Sequence, residues 1–98
     1  MIALRYHEAA ELELLNEIDY LEARSIGLGR RFFAEVQNAE LMISRFPESA
    51  IEVFPGIRRR VLRKFPHALI YAFEGAGALI LAVAHLKRRP NYWQPRAG

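Results

Sequence analysis

The chain has 98 residues, 52% hydrophobic and 11% aromatic, which suits a single domain spanning 1–98 with one modest core and excludes a second. It has no cysteine, so disulfide frameworks and thiolate metal sites are excluded, and no run reaches the roughly 18 apolar residues of a membrane span; a soluble cytoplasmic protein without a signal peptide is expected. The net charge of +3 hides an asymmetry, because residues 1–50 carry five arginines against nine acids while residues 51–98 carry nine Lys/Arg against Glu52 and Glu74, a balance that favours an anionic partner for the second half.

Ile2 to Tyr6 alternates and fits a short first strand. From Glu8 to about Arg24, Ala10, Leu14, Ile18 and Leu21 form one apolar stripe of an amphipathic helix, with Glu11, Glu13 and Glu17 placed largely outside it. Ser25-Ile26-Gly27-Leu28-Gly29 breaks the pattern as a tight link. Phe32, Val36, Ala39, Ile43 and Phe46 then mark a second helix, ended by Pro47, and the short link predicts an antiparallel helical hairpin. Ile51 to Phe54 is a brief strand, and Pro55-Gly56 turns into a basic one. Ala68 to Glu74 alternates, Glu74-Gly75-Ala76-Gly77 reads as a hairpin, and Leu79 to Leu86 is so apolar that it belongs inside the sheet, flanked by strands and covered by helices. The fold class is α+β: an N-terminal strand and a two-helix hairpin packed on a mainly antiparallel sheet of about four strands.

The stretch the rest serves is Ile57 to Tyr71, which packs Arg58, Arg59, Arg60, Arg63 and Lys64 into seven positions. Read as one extended strand through Phe65, it places Arg59, Val61, Arg63 and Phe65 on one face and Arg58, Arg60, Leu62 and Lys64 on the other. Such a strand is tolerated only where its long side chains reach water or meet a negative partner. A second basic segment runs His85-Leu86-Lys87-Arg88-Arg89-Pro90-Asn91-Tyr92-Trp93. If the last strand pairs near the basic strand, both arrays face one concave surface, able to hold phosphates and to stack bases on Tyr92 and Trp93.

Asp19 is the only aspartate, the serines lie near helix ends, and the histidines His7, His67 and His85 are scattered. A Ser-His-Asp triad, a metal site and a nucleotide-binding glycine loop are therefore not expected, and no cofactor is implied. What remains is a set of cations with a few proton-transfer groups, His67, His85 and Tyr92. Metal-independent cleavage of RNA needs one group to take a 2′-hydroxyl proton, another to protonate the leaving oxygen, and arginines to hold the phosphate charge. Structural roles compete for the same residues, as hydrogen-bonded strand-end histidines and as a tail packed over the core.

Arg58-Arg59, Leu62-Arg63-Lys64-Phe65-Pro66-His67, Tyr71 and the run Val83 to Trp93 follow a two-helix half in an order that resembles the RelE/ParE toxin superfamily over essentially the whole chain. The resemblance implies a toxin of a type II toxin-antitoxin pair, bound by a cognate antitoxin whose C-terminal segment wraps it. In the RelE-like, ribosome-dependent mRNA endoribonucleases an arginine stands three residues before the tyrosine equivalent to Tyr71, where this chain has Ala68. The lysine pair of that branch falls at Arg59 and Val61, so one cation remains. These departures bring the chain closer to the ParE-like branch, associated with inhibition of DNA gyrase. The ribonuclease alternative would use Arg59, Arg63, Arg88 and His85 or Tyr92, and a third reading is an inactive basic binding module. The residues expected to touch antitoxin or target are Arg58, Arg59, Arg60, Arg63, Lys64, His67, Lys87, Arg88, Arg89 and Trp93.

Overall fold

The computed structural model describes residues 1–98. In chain order it has β1 (Leu4–Tyr6), α1 (Glu8–Arg24), α2 (Leu28–Arg45), β2 (Ile51–Phe54), β3 (Ile57–Val61), β4 (His67–Glu74), β5 (Gly77–His85) and a 3₁₀ turn at Gln94–Ala97. No helix is long and apolar enough to cross a membrane.

Local chemistry explains the helical hairpin. The His7 Nδ1 accepts the Ala9 N–H at 3.0 Å and caps α1. At the link, Gly27 sits at φ 86°, a left-handed conformation that suits glycine. The N-terminus of α2 has no cap of its own, and Glu22 from α1 supplies one by accepting the Gly27 and Gly29 N–H groups at 2.8 and 3.0 Å. Gly29 also permits close approach of the two helices, since a Cβ there would stand 2.5 Å from the Ile18 carbonyl oxygen. Phe32, Val36, Ala39 and Ile43 are buried as their spacing predicts, whereas Phe46 caps α2 and is 55% exposed.

The sheet has five strands, the expected antiparallel four together with the N-terminal strand, in the order β1-β5-β4-β3-β2. All neighbours are antiparallel except β1 and β5, which run parallel over Leu4–Tyr6 and Ala78–Ile80. Two cores result. On one face Leu69, Tyr71, Ile80 and Val83 pack with Ala10, Leu14, Phe32, Val36 and Ile43 from the helices. On the other, Ile57, Ala68, Ile70, Leu81, Ala82 and Ala84 pack under Trp93. The strand-to-strand register shifts at Leu81, which has no partner across from it in β4, so Leu81 and Ala82 join the same face. That bulge is one reason β5 reads as apolar without alternation. Helices cover one face of β5, and the C-terminal tail covers part of the other.

The basic strand is shorter than its alternation predicts. β3 ends at Val61, and Leu62 to Pro66 form a turn in which Lys64 takes a left-handed φ of 67°, closed by the Leu62 N–H donating to the His67 carbonyl at 2.8 Å. Arg63 and Lys64 therefore lie on this turn and have no strand face. Nor does β3 adjoin β5, because β4 lies between them.

A candidate cationic cleft on the open face of the sheet

Alternation along β3 divides its arginines. Ile57 belongs to the core under the tail, and Arg59, two residues on, shares that face opposite Ile70. Arg58 and Arg60 face the other way, opposite Tyr71 and Leu69. There they stitch the loop between α2 and β2 to the sheet. Arg58 Nη1 donates to the Ala50 and Glu48 carbonyls at 2.7 and 3.1 Å, Arg60 Nη2 donates to the Ser49 hydroxyl, and the Tyr71 hydroxyl donates to the Pro47 carbonyl at 2.6 Å. The single surface expected to collect all these cations is thus two surfaces.

The first is a cleft of about 130 Å³ on the face opposite the helices. Arg59 enters it from β3, and Arg88 and Arg89 enter from the loop after β5; Ala68, Ile70 and Ala84 make an apolar floor, and His85 closes one end. Arg59 and Arg89 are exposed and make no hydrogen bond or ion pair. The small floor residues bring the two arrays to one cleft although a strand separates them. The second surface is a groove of about 480 Å³ between α2 and the end of β3, where Arg60 and Arg63 stand with Leu41, Met42 and Leu62. Lys64 and Lys87 are exposed on turns.

The proton-transfer candidates are largely occupied. The Tyr92 hydroxyl donates to Glu13 Oε2 at 2.9 Å, and burial together with that bond pushes its pKa up to about 12. Arg88 stacks on its ring, 3.9 Å from the centroid. His67 is only 3% exposed, on the helix side, where Nε2 donates to Glu17 Oε2 at 2.8 Å while Nδ1 is buried without a partner. Burial holds the His67 imidazolium below its usual range, and the Glu17 carboxylate opposes that shift. His67 is thus nearly buried, in the wall of a hollow on the helix side that Glu13, Glu17 and His85 also line. His85 sits across from it in the ladder, ring centroids 4.9 Å apart, and its Nδ1 accepts the Lys87 N–H at 3.0 Å. Trp93 is 4% exposed and offers no free face for stacking. No group of three or more His, Asp or Glu side chains is placed to hold a metal ion.

Glu13 and Glu17 were expected largely outside the apolar stripe of α1, and both turn toward the protein, with side chains 16% and 28% exposed. Their spacing held the signal: four apart and beside Leu14 and Ile18, they flank the apolar stripe and do not oppose it.

No family model and no curated protein sequence matches the chain. Its fold matches a chain in the solved structure of the chromosomal ParDE TA system from P. aeruginosa with a TM-score of 0.72 and 17% identity, covering 87% of this chain and 96% of that chain. At that identity the likeness is one of architecture, and this protein has the two-helix, mixed-sheet α+β fold found in that toxin-antitoxin structure.

Proposed function

We propose that the chain is the toxin of a type II toxin-antitoxin pair, neutralised by a cognate antitoxin, and that it arrests growth in a ParE-like way by binding a protein target such as DNA gyrase. The fold shared with the ParDE structure supports the system. The observation that carries the mode of action is the state of the cleft: Arg59 and Arg89 are unpaired, yet the Tyr92 proton is committed to Glu13 and His67 lies behind the sheet. Cations without a free acid and base suit the binding of an acidic surface better than the breaking of a phosphodiester.

His85 favours the second reading, a ribosome-dependent mRNA endoribonuclease, because it lines the rim of the cleft with Arg59 and Arg88 while its ring packs against His67 on the helix side. Induced expression separates the two. The ParE-like reading expects growth arrest with translated messages intact, relieved by co-expression of the adjacent reading frame; prompt message cleavage during arrest selects the ribonuclease, and absence of arrest rejects both.

A further inference from the structure

Arg88, Arg89 and Tyr92 lie on a loop outside the sheet, and a single carboxylate gathers most of the side-chain polar contacts of the segment that follows β5. Glu13 Oε1 accepts the Val83 N–H and Arg96 Nη1, each at 3.0 Å, while Oε2 accepts the Tyr92 hydroxyl at 2.9 Å and Arg96 Nη2 at 3.0 Å. Arg88 Nη1 stands 3.8 Å from Oε2. Arg96 also donates to the Leu81 carbonyl at 3.0 Å. The location of this knot is informative, because β1 pairs with β5 only as far as Ile80. Beyond it, Glu13 and Arg96 satisfy the backbone groups that a longer β1 would otherwise have bonded. The tail therefore passes around the β5 edge with two anchors, Trp93 on the open face and Arg96 at the edge.

We propose that Glu13 is the positioning residue of the cleft: it docks the C-terminal segment as a strap over the β5 edge and so fixes Arg88 and Tyr92 as one wall. The proposal rests on the reading of this cleft as the functional surface. A charge-assisted bidentate pair with Arg96 is directional, whereas Trp93 burial alone leaves the loop between His85 and Trp93 free to shift. The Tyr92 ring, held through its hydroxyl, in turn carries Arg88.

Trp93 is the only tryptophan, so its emission reports strap docking directly. In the purified full chain, Glu13→Ala is expected to shift that emission to the red and to make the Lys87–Arg88 and Arg88–Arg89 bonds roughly tenfold more sensitive to trypsin, as local opening requires, with the far-UV dichroism of helices and sheet retained. Glu13→Gln is expected to fall between, since its carbonyl still accepts the Val83 N–H but offers no charge to Arg96. Should Glu13→Ala fail to fold, Arg96→Ala carries the same test. Emission and cleavage equal to wild type in the folded variants would overturn the proposal, as would a loosened strap with undiminished growth arrest. A wild-type protein that causes no arrest would instead sink the toxin reading, and leave the spectroscopic result to judge the strap.

Discussion

His67 at the start of β4 donates its Nε2 proton to Glu17 Oε2 at 2.8 Å, joining the sheet to α1 across 50 sequence positions. The ring lies edge-on to Phe32, 4.7 Å between centroids, and its other nitrogen is buried without a partner. Protonation would place a second N–H in that apolar wall, so the folded protein prefers the neutral ring and its affinity for protons lies below the usual 6.5.

A pH dependence of stability follows. Between the folded value and 6.5 the unfolded chain binds more protons, so stability is full above 6.5, is lost as pH falls through that window, and levels off below it. Tm is expected to fall between pH 7.5 and 5.5 in thermal melts, and His67→Phe is expected to flatten that fall. Below about pH 4.5 a separate loss enters through Glu22 and Glu74, whose carboxylates are held low by the Gly27 N–H and by Arg5 respectively. A melt as steep in His67→Phe as in wild type would assign the dependence elsewhere.

Arginines one residue apart on β3 are expected to behave oppositely. Arg58→Ala removes two charge-assisted bonds and leaves the Ala50 and Glu48 carbonyls without them, a loss of about 2 kcal/mol. Arg59→Ala touches no partner and is expected to stay within about 0.5 kcal/mol of wild type in urea unfolding while abolishing growth arrest. Equal effects of the two on stability would contradict the division of the basic strand into a stitching face and a cleft face.

The helix link offers a third test. Gly29→Ala forces a Cβ to 2.5 Å from the Ile18 carbonyl, where no flexible side chain can give way, and overpacking of that kind costs about 1–3 kcal/mol. Gly56→Ala meets nothing within 4 Å but sits at φ 78°, so its cost of about 1 kcal/mol is backbone strain alone. Urea midpoints of the two variants compare steric and conformational penalties in one molecule.

Both helices, the hairpin at Gly75-Ala76 and the inner position of β5 were legible because each rests on a local pattern: apolar spacing, a proline stop, a glycine turn. The end of β3 was not, since alternation continues unbroken through Phe65 and only the backbone of Lys64 reveals the turn. The division of the arginines was half visible. Their alternate faces could be read, but which face met the helices depended on the order of strands, and the order depended on β4 coming between β3 and β5. Trp93 and Tyr92 were placed with the ligand-facing groups because aromatic residues beside cations suit both recognition and packing; long-range partners, Glu13 above all, decide for packing. The parallel pairing of β1 with β5 had no local signal, for three residues carry too little pattern to choose a neighbour.

Inhibition of DNA supercoiling by purified gyrase, titrated with the purified chain, tests the central claim most directly. Supercoiling is expected to be inhibited by wild type and by Arg63→Ala, which lies outside the cleft, and to be restored by Arg59→Ala. Full supercoiling at saturating wild-type protein, with cleavage of translated messages in cells that express it, would contradict the account.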